Sequence, residues 1–455
     1  MLLAAALTTS ATATAQVELP PAPPPPPVHD PMLAPPAAPA RLIASWGDAV
    51  ALTRSRSTDL ATALSEIRRA EAQTRTALAA ILPTINGTVS YPQHQFITKD
   101  TTVLGAPGDP PRTISTPQSD YLNGNVTLTQ SIVNVQSWHA IKTGRVSEKV
   151  AQLSAENTQR QITLGVATSV VGVVASERVA ELNRIGLRTA LERRELTLRK
   201  KVLGVGTGLD VVRADQDVSS ARAAIVSGDE SLRKSREALG LALGFPEQVG
   251  VANTINVDDV ATEAERTCPR LGNLAERADL AAAEKRVEVA DRNVTNVELQ
   301  FLPTIGAQST LGSTTADLGS QARTTWNLTA VLSIPIWDGG ARYGALGTAR
   351  ALREQSGFQL ESQRRSATIE VEQARRSVAV AEAALDVARQ AQQLAAEVDR
   401  LTQTAYRAGQ GTSLELVLAA SALRQAEVNL ALREFDVVRA RLEALFALAH
   451  CSGSK

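Results

Sequence analysis

The sequence predicts a mainly α-helical chain with a few short β-strands, built as two copies of one unit. Three observations predict it: where prolines are absent, where the chain repeats itself, and where apolar residues alternate with polar ones.

Eleven of the 21 prolines lie between Pro20 and Pro39, and only Pro246, Pro269, Pro303 and Pro335 come after residue 117. An interior proline removes a helical hydrogen bond and clashes with the preceding turn. Residues 118–245 and 336–455 can therefore carry very long helices, whereas residues 16–40 read as an extended, polyproline-like spacer. Ahead of the spacer, residues 1–15 have the apolar run Met1-Leu-Leu-Ala-Ala-Ala-Leu7 and an Ala13-Thr14-Ala15 end, the pattern of a secretory signal. No basic residue precedes Arg41, so the expected positive start is missing, and no cysteine follows the cleavage point to carry a lipid.

Self-comparison orders the rest. Leu82-Pro83-Thr84-Ile85 recurs as Leu302-Pro303-Thr304-Ile305, residues 128–134 align with 332–338, and Gly204-Val-Gly-Thr-Gly-Leu-Asp-Val-Val212 aligns with Gly409-Gln-Gly-Thr-Ser-Leu-Glu-Leu-Val417. The copies span 41–244 and 271–450, with a linker at 245–270 and a tail at 451–455. The offset falls from 220 to 204 between the first two matches, so the first copy holds 16 extra residues, expected as a long loop around Gly105-Ala-Pro-Gly-Asp-Pro-Pro111.

Two strands are expected per copy, at about 85–95 and 121–132, then at about 304–314 and 324–336. Ile85, Gly87, Val89 and Tyr91 alternate with Asn86, Thr88 and Ser90, and Trp326, Leu328, Ala330 and Leu332 alternate with Asn327 and Thr329. Each is of the length that crosses a bilayer at a tilt. Four such strands make a poor closed sheet alone, and assembly with other chains would solve that. The remainder is helical. Val371, Val378 and Leu385 repeat every seven residues, as do Val380, Val387, Leu394 and Leu401, on nearly opposite sides of one helix. Two seams suit a helix with a neighbour on each side. Residues 338–408 would extend about 105 Å at 1.5 Å per residue.

Charge and composition exclude several classes. Forty-seven basic residues balance 47 acidic ones, which gives no global field for nucleic acid or an anionic surface. The uncharged stretch 161–176 falls short of the roughly 20 apolar residues of a spanning helix, so no spanning helix is expected. The four histidines, His29, His94, His139 and His450, show no metal-ligand spacing, and no paired acid, base or nucleophile suggests an enzyme. A phosphate-loop reading of Gly204-Val-Gly-Thr-Gly208 lacks the Gly-Lys-Ser/Thr ending. No cofactor is implied.

The repeated Leu-Pro-Thr-Ile before a strand, the passage Ser333-Ile-Pro-Ile-Trp-Asp-Gly-Gly-Ala-Arg342, and Ala405-Tyr-Arg-Ala-Gly-Gln-Gly-Thr-Ser-Leu-Glu-Leu-Val417 together resemble the TolC-like outer-membrane efflux proteins. The resemblance runs from Arg41 to His450. It implies a homotrimer in a Gram-negative outer membrane, in contact with its lipid, whose strands close one 12-stranded transmembrane β-barrel and whose helices continue as a periplasmic tunnel. It implies a passive exit duct of a tripartite efflux pump for small molecules, working with a periplasmic adaptor protein and an inner-membrane pump. The alternatives are the outer-membrane part of type I protein secretion beside an ABC transporter, or a periplasmic coiled-coil adaptor or scaffold. By the same resemblance the adaptor meets the turns Leu203-Gly204-Val205-Gly206-Thr207 and Gly409-Gln410-Gly411-Thr412.

Glu415 stands where the family carries an acidic residue lining the pore constriction. Three chains would make a ring of carboxylates, which favours cations; the plain alternative is a solvated surface glutamate. The chain departs from the family at Leu418, where a second acid is usual, and at Gly411, where a latch arginine is usual. Asp210 and Tyr406 match the entrance-latch positions, and Arg407 or Arg213 would have to replace the missing cation. Cys268 and Cys451 fall near where the family's chain ends gather, and in an oxidising compartment two such cysteines are expected to pair.

Overall fold

The computed structural model describes residues 28–93, 98–103, 107, 110, 112–117, 120–316 and 322–451. The expected signal segment 1–15, the first part of the spacer, most of the loop at 105–111, His94 and all but the first residue of the tail lie outside these. In chain order the elements are β1 (Arg41–Ile43), α1 (Trp46–Arg56), α2 (Thr58–Ala79), β2 (Thr84–Ser90), β3 (Thr98–Val103), β4 (Arg112–Pro117), β5 (Asn123–Val133), α3 (Val135–Val202), α4 (Gly208–Ala242), β6 (Val249–Val251), α5 (Val257–Thr267), α6 (Ala278–Glu298), β7 (Thr304–Thr314), β8 (Thr324–Ser333), α7 (Ala341–Arg407) and α8 (Ser413–Ala447). At 68 and 67 residues, α3 and α7 are each about 100 Å long.

The chain forms two compact units. One holds Ala38–Ser176, Arg233–Val387 and Leu432 onward; the other holds the described residues up to Ala37 together with Glu177–Leu232 and Ala388–Ala431.

The first unit carries an antiparallel sheet in the order β2-β5-β7-β8. Its register sorts side chains by chemistry. Ile85 pairs with Leu128, Leu128 with Ser309 and Ser309 with Leu328, while Val126 pairs with Leu311 and Leu311 with Trp326. Directly opposed residues share a face, so these rows make one apolar face. The rows Thr88-Asn125-Gly312-Thr325 and Asn86-Thr127-Thr310-Asn327 make the other face polar. The apolar face is bare: Ile85, Val89, Trp326, Leu328 and Leu332 are exposed. The outer strands β2 and β8 have no further strand partner among the described residues.

Strand ends follow the prolines. β2 stops at Ser90 before Pro92, and β8 stops at Ser333, short of the expected 336, because Pro335 cannot donate to a ladder. After β8, Gly339 and Gly340 take positive φ (71° and 90°), and Asp338 accepts from the amides of Gly340 and Arg342 and from Arg342 Nε at 2.7 Å, which starts α7.

Three expectations need correction. The 16-residue insertion is not simply a loop, because β3 and β4 pair there as an antiparallel hairpin. Residues 245–270, read as a linker, are folded: β6 pairs in parallel with β1, and α5 packs Val260 and Ala264 into the core. Part of α3 is in fact long and apolar enough to cross a membrane by composition. Packing accounts for that composition, since Val166, Val170, Val171 and Val173 are buried in one cluster with Ile43, Trp46, Leu239, Phe245, Leu442 and Phe446.

The end of α8 is held beside this cluster. Arg160 Nη1 donates to Phe446 O at 2.7 Å and Arg277 Nη1 to Ala447 O at 3.1 Å, so two guanidiniums satisfy carbonyls that the helix leaves free. Arg277 also pairs with Asp279 (2.8 Å) and Glu370 (2.7 Å). A disulfide joins Cys268, just after α5, to Cys451, beyond α8, across 183 residues of sequence.

On α7 the two seams differ. Val371 and Leu385 are 7% and 8% exposed and Val378 is half-buried, whereas Val380, Val387 and Leu394 are 67%, 65% and 68% exposed. One seam is largely covered by the chain itself and the other is open.

Replacing both Cys268 and Cys451 with serine is expected to destabilise the chain by about 5 kcal/mol, the chain-entropy value for so long a closed loop. Denaturant unfolding of the detergent-solubilised protein, with and without reductant, checks this: reductant should shift the parent and leave the double variant unmoved.

Candidate functional site: two matched helical turns

In the unit that contains them, the α3–α4 and α7–α8 turns are built alike. After α3, Gly204 has φ +77°, its amide donates to Lys201 O at 3.0 Å and the Val205 amide donates to Lys200 O at 3.0 Å. After α7, Gly409 has φ +77°, its amide donates to Tyr406 O at 3.3 Å and the Gln410 amide donates to Ala405 O at 2.9 Å. This pair of bonds closes a helix C-terminus through a left-handed residue, a conformation only glycine adopts cheaply. Two residues on, Gly206 and Gly411 sit where a Cβ would come within 3.1 Å of Lys201 N and Tyr406 N.

Each turn then starts its next helix with a reciprocal cap. The Thr207 amide donates to Asp210 Oδ2 at 3.0 Å and the Asp210 amide to Thr207 Oγ1 at 3.2 Å. The Thr412 amide donates to Glu415 Oε2 at 2.8 Å and the Glu415 amide to Thr412 Oγ1 at 3.2 Å. These are capping boxes. Their threonine-x-x-acid signature is plain at Thr207–Asp210 and Thr412–Glu415, where the sequence suggests for Glu415 a pore-lining or a solvated surface carboxylate but not a cap. Glu415 is exposed, with Leu418 and Leu414 exposed beside it, while Leu203, Val205, Leu209 and Val212 form an exposed apolar set at the other turn.

The two turns are tied together, but not by the expected pair. Asp210 Oδ1 accepts from Ser413 Oγ, and Arg213 Nη1 donates to the same hydroxyl at 3.2 Å. No hydrogen bond joins Tyr406 to Asp210 among the described residues. Instead, Lys200 Nζ sits 3.7 Å from the centre of the Tyr406 ring, a cation–π contact. Asp210 is saturated by its neighbours on both turns, so the tyrosine hydroxyl is not needed there. Of the two candidate replacement cations, Arg213 reaches the Asp210 cluster. Ser413 escaped the sequence reading because its counterpart in the first copy is Gly208.

A buried ionic cluster lies deeper. Asp217 on α4 accepts from Arg424 Nη2 of α8 at 2.8 Å and lies 3.4 Å from Arg193 Nη1 of α3. Its side chain is almost fully buried, so it links three helices from a site that no linear motif marks.

Charge states follow these contacts. The Ser413 hydroxyl and then the Thr207 amide hold the Asp210 carboxyl below the usual carboxylate range, and the Thr412 amide does the same for Glu415. Burial, and then the nearby Asp210 charge, raise the Tyr406 hydroxyl. Elsewhere, Cys268 and Cys451 belong to the other unit, and no group of three or more candidate metal ligands occurs among the described residues.

The model of the outer membrane efflux protein family matches residues 49–245 and 273–450. The chain belongs to this family. Its two matched blocks coincide with the two sequence copies, and membership places it in the outer membrane of a Gram-negative bacterium. A probable efflux pump outer membrane protein, TtgC of Pseudomonas putida, is 24% identical over 270 residues, covering 58% of this chain and 56% of TtgC. The pyoverdine export outer membrane protein OpmQ of Pseudomonas putida is 25% identical, covering 88% of this chain and 84% of OpmQ. The chain spans just over half the length of TtgC in that match, and most of OpmQ. Among solved structures, the Campylobacter jejuni CmeC outer membrane channel superposes with a TM-score of 0.75 at 14% identity, covering 94% of this chain and 96% of CmeC, which shows a common fold.

Two outcomes follow for this efflux-family chain. Asp217→Ala strands two largely buried guanidiniums and is expected to cost about 3 kcal/mol, read as earlier unfolding of α4 by hydrogen exchange. For Asp210, a folded-state value below the unfolded one stabilises the turn above the unfolded value and loses that as pH falls through the folded value. The turn amides should therefore stay protected at pH 5 and lose protection only below the usual carboxylate range, whereas Asp210→Asn should weaken them at every pH.

Proposed function

We propose that this chain is the outer-membrane exit duct of a tripartite efflux pump, a homotrimer passing small molecules out of the cell. The observation that carries the reading is the four-stranded sheet, with one apolar face, one polar face and two open edges. In a bilayer an open edge leaves backbone groups unpaired, and only a closed barrel removes that cost. Joining β8 of one copy to β2 of the next, three times, gives a 12-stranded barrel with its apolar rows toward lipid and its asparagine and threonine rows toward water. The open Val380-Val387-Leu394 seam of α7 supports the same assembly, as a helix wall that continues between protomers.

The matched turns then form the periplasmic entrance. A periplasmic adaptor protein would pack on the exposed apolar set Leu203, Val205, Leu209 and Val212 and on the Gly409–Thr412 turn, with an inner-membrane pump supplying the energy. Glu415 keeps one carboxylate oxygen in the capping box and the other free, so three copies would still ring the entrance with negative charge above Leu418. Small-molecule cargo is the first reading, on likeness to the pyoverdine export protein OpmQ, and protein secretion is the second, on likeness to the alkaline protease secretion protein AprF of Pseudomonas aeruginosa.

Sedimentation of the detergent-solubilised protein should give a trimer, and planar bilayers should show discrete conductance. A monomer that needs no detergent and conducts nothing would overturn the reading. Glu415→Gln retains the capping bond but removes the charge. It and Glu415→Ala should both raise conductance and reduce block by multivalent cations; unchanged block would place the constriction elsewhere.

A further inference from the structure

The segment 28–37 has no helical or strand periodicity, yet it lies on the α3–α4 hairpin with a counterpart for each of its chemical features. Asp30 Oδ1 accepts from the Met32 amide at 2.9 Å, capping the 3-10 turn Pro31–Leu33, and its Oδ2 accepts from Arg222 Nε at 3.1 Å and Nη2 at 2.8 Å. The Asp30 side chain is 4% exposed, although it belongs to no long element. Met32 and Leu33 pack on the cluster of Leu187, Ala190, Val218, Ala221 and Ile225. Beyond them Arg184 Nε donates to Ala34 O at 3.1 Å.

The receiving side is preformed. Arg184 is held on the hairpin by Ala180 O at 2.9 Å and by both oxygens of Asp229 at 2.6 and 2.8 Å, so it presents Nε without reorganising. Ala190 and Ala221 bring small side chains to the seam between the helices, and this cluster is nearly inaccessible to solvent with Met32 and Leu33 packed on it. The occupant is pre-shaped as well, because Pro31, Pro35 and Pro36 restrict its backbone.

We propose that the α3–α4 hairpin carries a recognition groove for an Asp-Pro-Met-Leu segment, filled by residues 30–33 of the same chain, and that this segment is a releasable strap rather than fixed core. Bound, it staples α3 to α4 and covers their small-residue seam. Released, it opens that seam and frees the proline-rich spacer. Two features make it releasable: it seats only two apolar side chains, and its anchoring cation, Arg222, is half exposed and so screened by salt. The inference stands whether or not the transport reading does.

Protons are the weaker lever. The Met32 amide first, and Arg222 second, hold the Asp30 carboxyl below its usual range. Its contribution is present above the unfolded value and is lost only as pH falls through the folded one. The other charged groups facing the segment, Arg184 and Asp229, are paired with each other.

Hydrogen exchange on the full chain in detergent tests the strap. Met32→Ser with Leu33→Ser should speed exchange at least tenfold in residues 184–191 and 218–225 and leave the rest of α3 and α4 unchanged. Asp30→Asn keeps the cap but loses the ion pair; it should give a smaller increase, matched by high salt in the parent and not added to by it. A fluorescein-labelled peptide of residues 28–37 should bind the double variant and not the parent. Unchanged exchange in both variants, a rise throughout the helices, or a folded double variant that ignores the peptide would each overturn the proposal.

Discussion

A sheet that meets lipid, as proposed for this one, cannot leave its edge amides and carbonyls unpaired, and the rest of the proposed assembly depends on this constraint. The register of β2, β5, β7 and β8 sets most of the apolar side chains on one face of the sheet and most of the asparagines and threonines on the other. Yet β2 and β8 each have a strand neighbour on one side only among the described residues. The sheet is two faces in search of closure. The same incompleteness recurs in α7, where one seven-residue seam is largely covered and the other is bare. Strand edges and helix seams call for neighbours through different forces, the first through directional hydrogen bonds and the second through apolar burial.

The two turns share one local code. Both close a helix with a left-handed glycine and open the next with a threonine–acid box. Their backbone geometry matches, while single residue differences between them give each turn separate contacts. Ser413 against Gly208 lets one turn grip the other through Asp210. Glu415 against Asp210 moves a charge farther from the backbone by one methylene. The first turn is apolar outside, with Leu203 and Val205; the second is polar, with Gln410.

Much of this was legible in residue order, because strand alternation, proline-free helix and repeated turn are all local patterns. The Leu-Pro-Thr-Ile repeats run into β2 and β7, which begin at Thr84 and Thr304. What escaped was of two kinds. Some signals are present but carry other meanings: α5 has Val257, Val260 and Ala264 at helical spacing within a stretch that reads as linker, and Glu415 reads as a pore or solvated surface residue before it reads as a cap. Other features have no linear signature at all. Asp217 looks like one more helix-surface charge until Arg193 and Arg424 arrive from two other helices. Segment 28–37 is aperiodic, and its meaning depends wholly on the groove that receives it.

The bond between Cys268 and Cys451 has a topological side. Its cysteines bracket the whole second copy, so β7, β8, α6, α7 and α8 lie on one covalent ring from which the first copy hangs as a tail. A protease that nicks the exposed α7–α8 turn opens the ring without shedding a piece, and the severed ends stay tethered through sulfur. The half of the chain with the barer surface, on both its sheet and its longest helix, is therefore the half that survives a single cut intact in mass.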